Sequence, residues 1–341
     1  MGIDYYGQSI PTSFASCSLS NRPGQTLQHK MSVIRGAGFD AMELAMPDVL
    51  HFAEQESGSR PDERDFDALV PVATRIRALA EEQGLDILML QPFSRFEGWS
   101  ASLHPRERQD ALVRAKGWMS IMEALGTQIL QVGSSDAEGI ATCSMDDLAA
   151  DLGMLADMCA EKGLRIAYEN WCWATKAPTW RSVWDVVRLA DRPNLGLCLD
   201  TFQAAGAELA DPTTGSGYID VINGEELQRR WANSLKDLAT SVPPQKIYLL
   251  QISDGYRMNP PIRGKDEAGE RPRSQWSHSH RPLPCDGGYL PVREALAAVL
   301  ATGFRGWLSV EVFDPEKEQN MAMEKYTGAA MESLRKLLSL S

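Results

Sequence analysis

Residues 161–170 read Glu161-Lys162-Gly163-Leu164-Arg165-Ile166-Ala167-Tyr168-Glu169-Asn170. An amphipathic helical stretch ends on a glycine, and a short apolar run starts at once. Glycine takes the left-handed conformation that follows a last helical turn at little cost. An apolar run this short fits a parallel strand covered on both faces. The run then ends on a carboxylate, Glu169.

The same unit recurs along the chain. Gly36-Ala37-Gly38-Phe39 precedes Ala41–Ala45, and Glu81-Glu82-Gln83-Gly84 precedes Ile87–Leu90. Ala124-Leu125-Gly126 precedes Ile129–Val132, and Ala301-Thr302-Gly303-Phe304 precedes Trp307–Val312. Three further runs complete the set: Ser13–Leu19, Leu195–Asp200 after Arg192-Pro193-Asn194, and Ile247–Ile252 after Pro243-Pro244. Helical patterns fall between them at about 25–37, 65–83, 105–125, 146–162, 179–191, 224–240, 291–302 and 317–338. Eight alternations of strand and helix predict an α/β protein, a single-domain (β/α)8 TIM barrel. A doubly wound open sheet is the weaker reading, because no GxGxxG follows the first strand. The expected layout is an N-terminal arm over 1–12 and the barrel over 13–341, with insertions at about 207–222 and 254–289. The second insertion, rich in Pro, Gly, Arg and Ser, leaves the C-terminal end of strand seven, the face on which barrel active sites form.

Composition narrows the function classes. The 341 residues hold 46 acids and 34 bases, a formal charge of −12, with 43% hydrophobic residues. That balance argues against nucleic acid and against an anionic membrane surface, both of which call for a basic face. No apolar run approaches the roughly 18 residues of a membrane span, and Met1–Pro11 carries no basic-then-apolar leader pattern. Six cysteines without a CxxC read as reduced thiols, so the cytoplasm is the expected compartment. The partner expected is a small molecule; a homodimer is left open.

The chemistry lies at the strand ends. Strand two ends near Glu43, five in Glu169, six in Asp200 and seven in Gln251, and strand eight leads into Glu311. A carboxylate in an apolar strand is costly to desolvate unless it is paired or bound to a metal. In a barrel these ends converge on one mouth. Glu169, Asp200, Gln251 and Glu311 form a hard-oxygen set suited to a divalent cation, Mg²⁺ or Mn²⁺ first. Co²⁺ and Zn²⁺ are further options; Zn²⁺ is less favoured because the set lacks His and Cys.

Tyr168-Glu169-Asn170-Trp171, Gly196–Phe202 and Leu308–Phe313 resemble the xylose-isomerase-like TIM barrels, the sugar-phosphate isomerase/epimerase superfamily. The closer likeness is to the 3-dehydroshikimate dehydratases, especially those of fungal quinate catabolism. It rests on Leu90-Gln91-Pro92-Phe93 with Phe96-Glu97-Gly98, on Asp200-Thr201-Phe202, on Trp276-Ser277 with Arg281, and on Gly287-Gly288-Tyr289-Leu290-Pro291. The resemblance implies a metal on Glu169, Asp200, Gln251 and Glu311, and loss of water from 3-dehydroshikimate to give protocatechuate. The alternative is a sugar or keto-polyol isomerase or epimerase using the same site.

It also implies that Ser277 and Arg281 meet the polar end of the substrate, with Gln91, Glu43 and Trp171 as further substrate contacts. Arg281 makes independent sense, since a guanidinium binds a carboxylate through two parallel hydrogen bonds. The chain departs from the family pattern in ways that leave the general base open. Ser94-Arg95 stands where Arg-Asp is often found. Gln203 and Trp171 stand where relatives often carry histidine. His280, in a matching motif, is the candidate base, and Glu169 and Glu311 are candidates to move protons themselves.

Overall fold

The inside of this barrel alternates with the two-residue period of a strand, and that alternation places the site. The computed structural model describes residues 2–22 and 24–340. A two-stranded antiparallel hairpin, β1 (Ile3–Tyr5) and β2 (Gln8–Ile10), leads into eight parallel strands. These are β3 (Thr12–Ala15), β4 (Ala41–Ala45), β5 (Asp86–Phe93), β6 (Ile129–Gly133), β7 (Arg165–Glu169), β8 (Leu195–Asp200), β9 (Ile247–Ile252) and β10 (Trp307–Val310). They close in chain order, with β10 pairing back to β3. The chain is therefore the single-domain (β/α)8 barrel that its alternation predicts.

Successive strand residues face opposite sides. Met42, Leu44, Leu130, Ile166, Leu199 and Leu250 point outward and pack in the main core against the helices. Ala41, Met89, Ile129, Ala167, Cys198 and Leu249 form a separate apolar layer deep inside. Two residues further along the same strands come Glu43, Gln91, Gln131, Glu169, Asp200 and Gln251, none more than 3% exposed. Barrel interiors are normally filled by branched apolar layers; here the layer nearest the C-terminal mouth is polar.

Most helical patterns fall where expected, for example Phe66–Gln83, Pro105–Leu125 and Trp180–Ala190, but the stretch 317–338 divides into Pro315–Gln319 and Met323–Ser339. Gly84 (φ 62°) and Gly126 (φ 75°) cap their helices in the left-handed conformation, as the glycine-then-strand pattern requires. Three helices escape the sequence reading: Met46–Ser57, Thr201–Glu208 and Pro272–Ser279. The first two follow their strands with no intervening turn residues, so the polar signal that usually separates elements is missing. The third lies inside the insertion at 254–289, where Ser277 sits on the helix and His280 caps it. The N-terminal stretch before β3 holds the hairpin β1–β2. The β1–β2 turn has both central residues, Tyr6 (φ 50°) and Gly7 (φ 78°), at positive φ, which suits a tight hairpin. Met1, Pro23 and Ser341 lie outside the described residues.

Among the described residues no helix is long and apolar enough to cross a membrane. All six cysteines are free: Cys159, Cys172 and Cys198 are buried, Cys17 and Cys143 half-buried, and Cys285 exposed.

A buried ion pair lies among the helices outside the barrel. Lys30, on the helix Leu27–Gly36, donates from Nζ to Asp48 Oδ1 at 2.7 Å and to the carbonyls of Ser16 and Leu19. It ties the turn after β3 to the helix after β4. Removing one partner of a buried pair leaves an uncompensated charge, at a cost of about 3–5 kcal/mol. Lys30→Met should therefore lower the urea-unfolding free energy by about that much, and adding Asp48→Leu should recover most of the loss. An unchanged midpoint in the single variant would show that the pair does not hold the turn.

Candidate active site

At the C-terminal ends of β7 and β8, and just beyond β10, Glu169, Asp200 and Glu311 bring one carboxylate oxygen each to within 4.8 Å of one another. All three are buried. Asp200 Oδ1 accepts the backbone N–H of Phe202 at 2.7 Å, which also caps the helix Thr201–Glu208. Glu311 Oε1 accepts Gln91 Nε2 at 2.8 Å. Glu169 Oε2 accepts Gln131 Nε2 and, at 3.3 Å, the indole N–H of Trp171. Glu169 Oε1 is buried with no partner.

One cation faces these acids. Arg281, 1% exposed, donates from Nη2 to Asp200 Oδ2 at 2.5 Å and from Nη1 to Glu311 Oε2 at 3.1 Å. Its Nε and Nη2 also reach Ser253 Oγ, and Nη1 lies 3.5 Å from Ser277 Oγ. The guanidinium is bracketed by the rings of Phe202 and Phe313 at 4.8 and 5.2 Å. The insertion delivers it there. The backbones of Arg281 and Phe313 exchange two hydrogen bonds of 2.9 Å, and Asp254 Oδ1 accepts from both Gly255 and Leu290, closing the insertion at its two ends.

Burial lifts the Glu169 carboxyl well above the usual carboxylate range, and the charges of Glu311 and Asp200 add to that. It also pushes Asp200 up to about 6 against the opposing pull of Arg281. Glu43 is pushed up to about 8, by burial and then by Glu311. Burial alone would lower the Arg281 pKa, yet Asp200, Glu311 and Glu169 hold it above its ordinary value. Three carboxylates against one guanidinium leave two formal negative charges (3 − 1 = 2), which a divalent cation would balance. The donor set is hard oxygen, and one of its oxygens lacks a partner, so the residues present fit such an ion.

The other residues singled out from sequence fall into place around this core. Gln251 Nε2 donates to Glu43 Oε2 at 2.8 Å, and its Oε1 accepts from the Cys198 thiol at 3.3 Å. Gln91 bridges Glu43 and Glu311 and is buried with them. Glu43 is fully buried on β4, in the same interior layer as Gln251 and Asp200. Ser277 is buried beside Arg281. Trp171 stacks on Trp173 at 5.1 Å and has its backbone N–H on Ser134 Oγ at 2.8 Å. A Cβ on Gly133 would collide with the Trp171 ring at 2.2 Å, so glycine there makes room for the indole.

His280, the candidate base, caps the helix Pro272–Ser279. Its side chain is half-buried, Nδ1 has no partner, and burial lowers its pKa; the groups that act on it are Gln275 and Asp314, not the three acids. Gln203, at the position where relatives often carry histidine, accepts the N–H of Cys172 at 2.9 Å and pins the turn after β7. Sequence reasoning passed over Gln131 and Ser253, which hold Glu169 and Arg281. Gln131 carries the same signal as the acids, a polar residue inside the apolar run Ile129–Val132.

Outside the carboxylates opens a cavity of about 690 Å³, with Arg95, Trp171, Trp173, Arg271, Ser274 and His278 among its walls. Trp171 both lines this cavity and touches Glu169, so the indole separates the opening from the acids. Arg95 is itself paired with Asp136 at 2.7 Å.

Two outcomes follow. Arg281→Met leaves Asp200 and Glu311 buried without their counter-charge. In EDTA it should destabilise the chain by about 3–5 kcal/mol, and Mn²⁺ should narrow the gap in Tm to wild type; equal gaps with and without Mn²⁺ would remove the cation from this site. The second outcome is a pH dependence. A carboxyl whose pKa is raised on folding favours the folded state below its ordinary range and loses that contribution as pH climbs through the raised value. With Asp200 near 6 and Glu43 near 8, the metal-free chain should lose stability from about pH 5 to 8. A cation binds the deprotonated oxygens, so the rise in Tm on adding Mn²⁺ should grow with pH across that window, as read by thermal melts. A constant rise would contradict it.

A family model described as xylose isomerase-like TIM barrel matches residues 31–337. The 3-dehydroshikimate dehydratase of Neurospora crassa is 32% identical over 337 residues, covering 92% of this chain and 91% of that protein. The Pseudomonas aeruginosa protein of the same name is 34% identical over 304 residues, which is 89% of this chain but 38% of its relative. A solved xylose isomerase-like TIM barrel/4-hydroxyphenylpyruvate dioxygenase fusion protein superposes with a TM-score of 0.71 at 27% identity, covering 96% of this chain and 42% of that one. The chain thus spans about two fifths of the length of these last two relatives. With a closed eight-stranded barrel and acids gathered at its mouth, the chain belongs to the xylose isomerase-like TIM barrel family, beside members named 3-dehydroshikimate dehydratase.

Proposed function

We propose that this chain is a metal-dependent carbon–oxygen lyase that removes water from 3-dehydroshikimate to give protocatechuate. The observation that carries the reading is the buried trio Glu169, Asp200 and Glu311 with Arg281 fixed among them. It occurs in a chain 32% identical to the Neurospora crassa dehydratase over almost the full length of both.

In this reading Glu169, Asp200, Gln251 and Glu311 hold the cation. When bound, a divalent ion supplies Lewis-acid polarisation of the substrate ketone and acidifies the proton beside it. The chain's own groups do the rest. Arg281, with Ser277 and Ser253 at its edges, supplies the positive field for the substrate's carboxylate. Phe202 and Phe313 hold the guanidinium plane flat between them. Trp171 and Trp173 offer a ring-sized wall and keep bulk water from the acids. In this reading the carboxyls of Glu169 and Glu311 move the proton. Loss of the hydroxyl as water then yields an aromatic ring, whose stability favours the product side.

The test is direct. Purified protein with Mn²⁺ and 3-dehydroshikimate should develop the ultraviolet absorbance of protocatechuate. Glu169→Gln should lower kcat by about 10²–10⁴-fold while the variant keeps its fold. Mn²⁺ bound with no protocatechuate formed would sink the dehydratase reading; the proton-moving isomerase or epimerase reading would then be tried on keto-polyols.

A further inference from the structure

The carboxylates rest on a layer of amides. Gln91 on β5, Gln131 on β6 and Gln251 on β9 all point into the barrel, where a side chain without hydrogen-bonding groups would be the usual occupant. Each engages a carboxylate. Gln131 donates to Glu169, and Gln91 donates to Glu311. Gln251 donates to a carboxylate outside the trio, Glu43 on β4. Glu43 Oε2 is a shared acceptor, taking Gln251 Nε2 at 2.8 Å and Gln91 Nε2 at 3.1 Å.

The consequence lies in the two ends of an amide. Its nitrogen only donates and its oxygen only accepts. With Nε2 held by Glu43, Gln251 has to turn Oε1 the other way, toward β8. There it meets the thiol of Cys198, two residues before Asp200. An amide free to rotate by half a turn would present N–H groups on that side, and an N–H cannot ligate a cation. Glu43 cannot swing off this duty, because Gln91 ties the same oxygen to Glu311. Its burial leaves it no route to solvent.

We propose that Glu43 is a positioning residue, which fixes the amide of Gln251 with its oxygen, not its nitrogen, on the side of β8, the strand that carries Asp200. The inference rests on the reading of Glu169, Asp200, Gln251 and Glu311 as that site. It replaces a substrate contact at Glu43 with an indirect role. Residues that orient ligands in this way typically change metal affinity 10- to 100-fold when replaced.

The experiment is Mn²⁺ binding to the whole chain by isothermal titration, with the fold of each variant checked by circular dichroism and thermal melting in EDTA. Glu43→Gln, nearly isosteric, is expected to weaken Mn²⁺ binding by about 10- to 100-fold. Glu43→Asp keeps the charge but falls one methylene short of the amide, and is expected to weaken it as well. It therefore separates orientation from simple charge, and it serves if Glu43→Gln does not fold. In a Gln251→Ala background, Glu43→Gln is expected to cost less than about 3-fold more, because the group it orients is gone. Wild-type affinity in Glu43→Asp, or the full loss again in the Gln251→Ala background, would overturn the proposal while leaving the cation site standing. Absence of Mn²⁺ binding in wild type would overturn both.

Discussion

Four carboxyls, those of Glu43, Glu169, Asp200 and Glu311, are shut inside a barrel that supplies one guanidinium to face them. Most of what is unusual about the structure answers that constraint. Burying a carboxylate without partners costs several kcal/mol, so amides stand where aliphatic side chains would otherwise fill the interior. Two carboxyls are pushed up to about 6 and 8. The insertion after β9 crosses the mouth to bring Arg281 between two phenylalanine rings. Without it the two acids that Arg281 serves would have no counter-charge in the chain. The insertion is thus as much a part of the barrel's interior as the strands are.

This explains why its ends are fastened so firmly. Asp254 holds Gly255 and Leu290 together, and a Cβ on Gly288 would meet the Asp254 carboxyl at 2.1–2.5 Å. Trp276 packs on Phe202 at 4.4 Å and donates its indole N–H to the Tyr256 carbonyl. The helix Pro272–Ser279 spans the middle and presents Ser277 one turn before Arg281. A segment rich in Pro, Gly and Arg looks mobile when read in isolation. Here each fastening serves to hold one side chain still.

Much of the architecture was legible because a parallel barrel writes the same unit eight times. The limits of β4, β8 and β9 could be read directly from apolar runs that follow a glycine or a proline. The helices that were missed lack those boundaries: Met46–Ser57 starts on the residue after β4, and Thr201–Glu208 starts on the residue after Asp200. The acids were legible for a physical reason, since charge inside an apolar run demands a partner. The same reasoning applied to amides would have found Gln131. The pairing of Arg281 with Asp200 was out of reach, because 81 residues of chain separate them and only the path of the insertion brings them together. A strand end or a motif says which residue is nearby but not which way it faces.

Arg281 also has two claims on it. Its donors are spent on Asp200, Glu311, Ser253 and Ser277, and the formal charge of the acids around it exceeds its own. An anion approaching that mouth meets repulsion, and in a chain of net charge −12 the wider field does not offset it. The rim arginine Arg95 is already matched to Asp136. A divalent cation on the carboxylates reverses this balance at short range, where screening by salt is weakest. The two charges left over by the guanidinium are then cancelled, and Arg281 becomes a cation whose field an acid can use. In the proposed function, binding of a metal and binding of an acidic substrate are therefore not separate properties of this mouth. They draw on the same few oxygens and the same guanidinium, and the insertion exists in the fold to keep those within reach of one another.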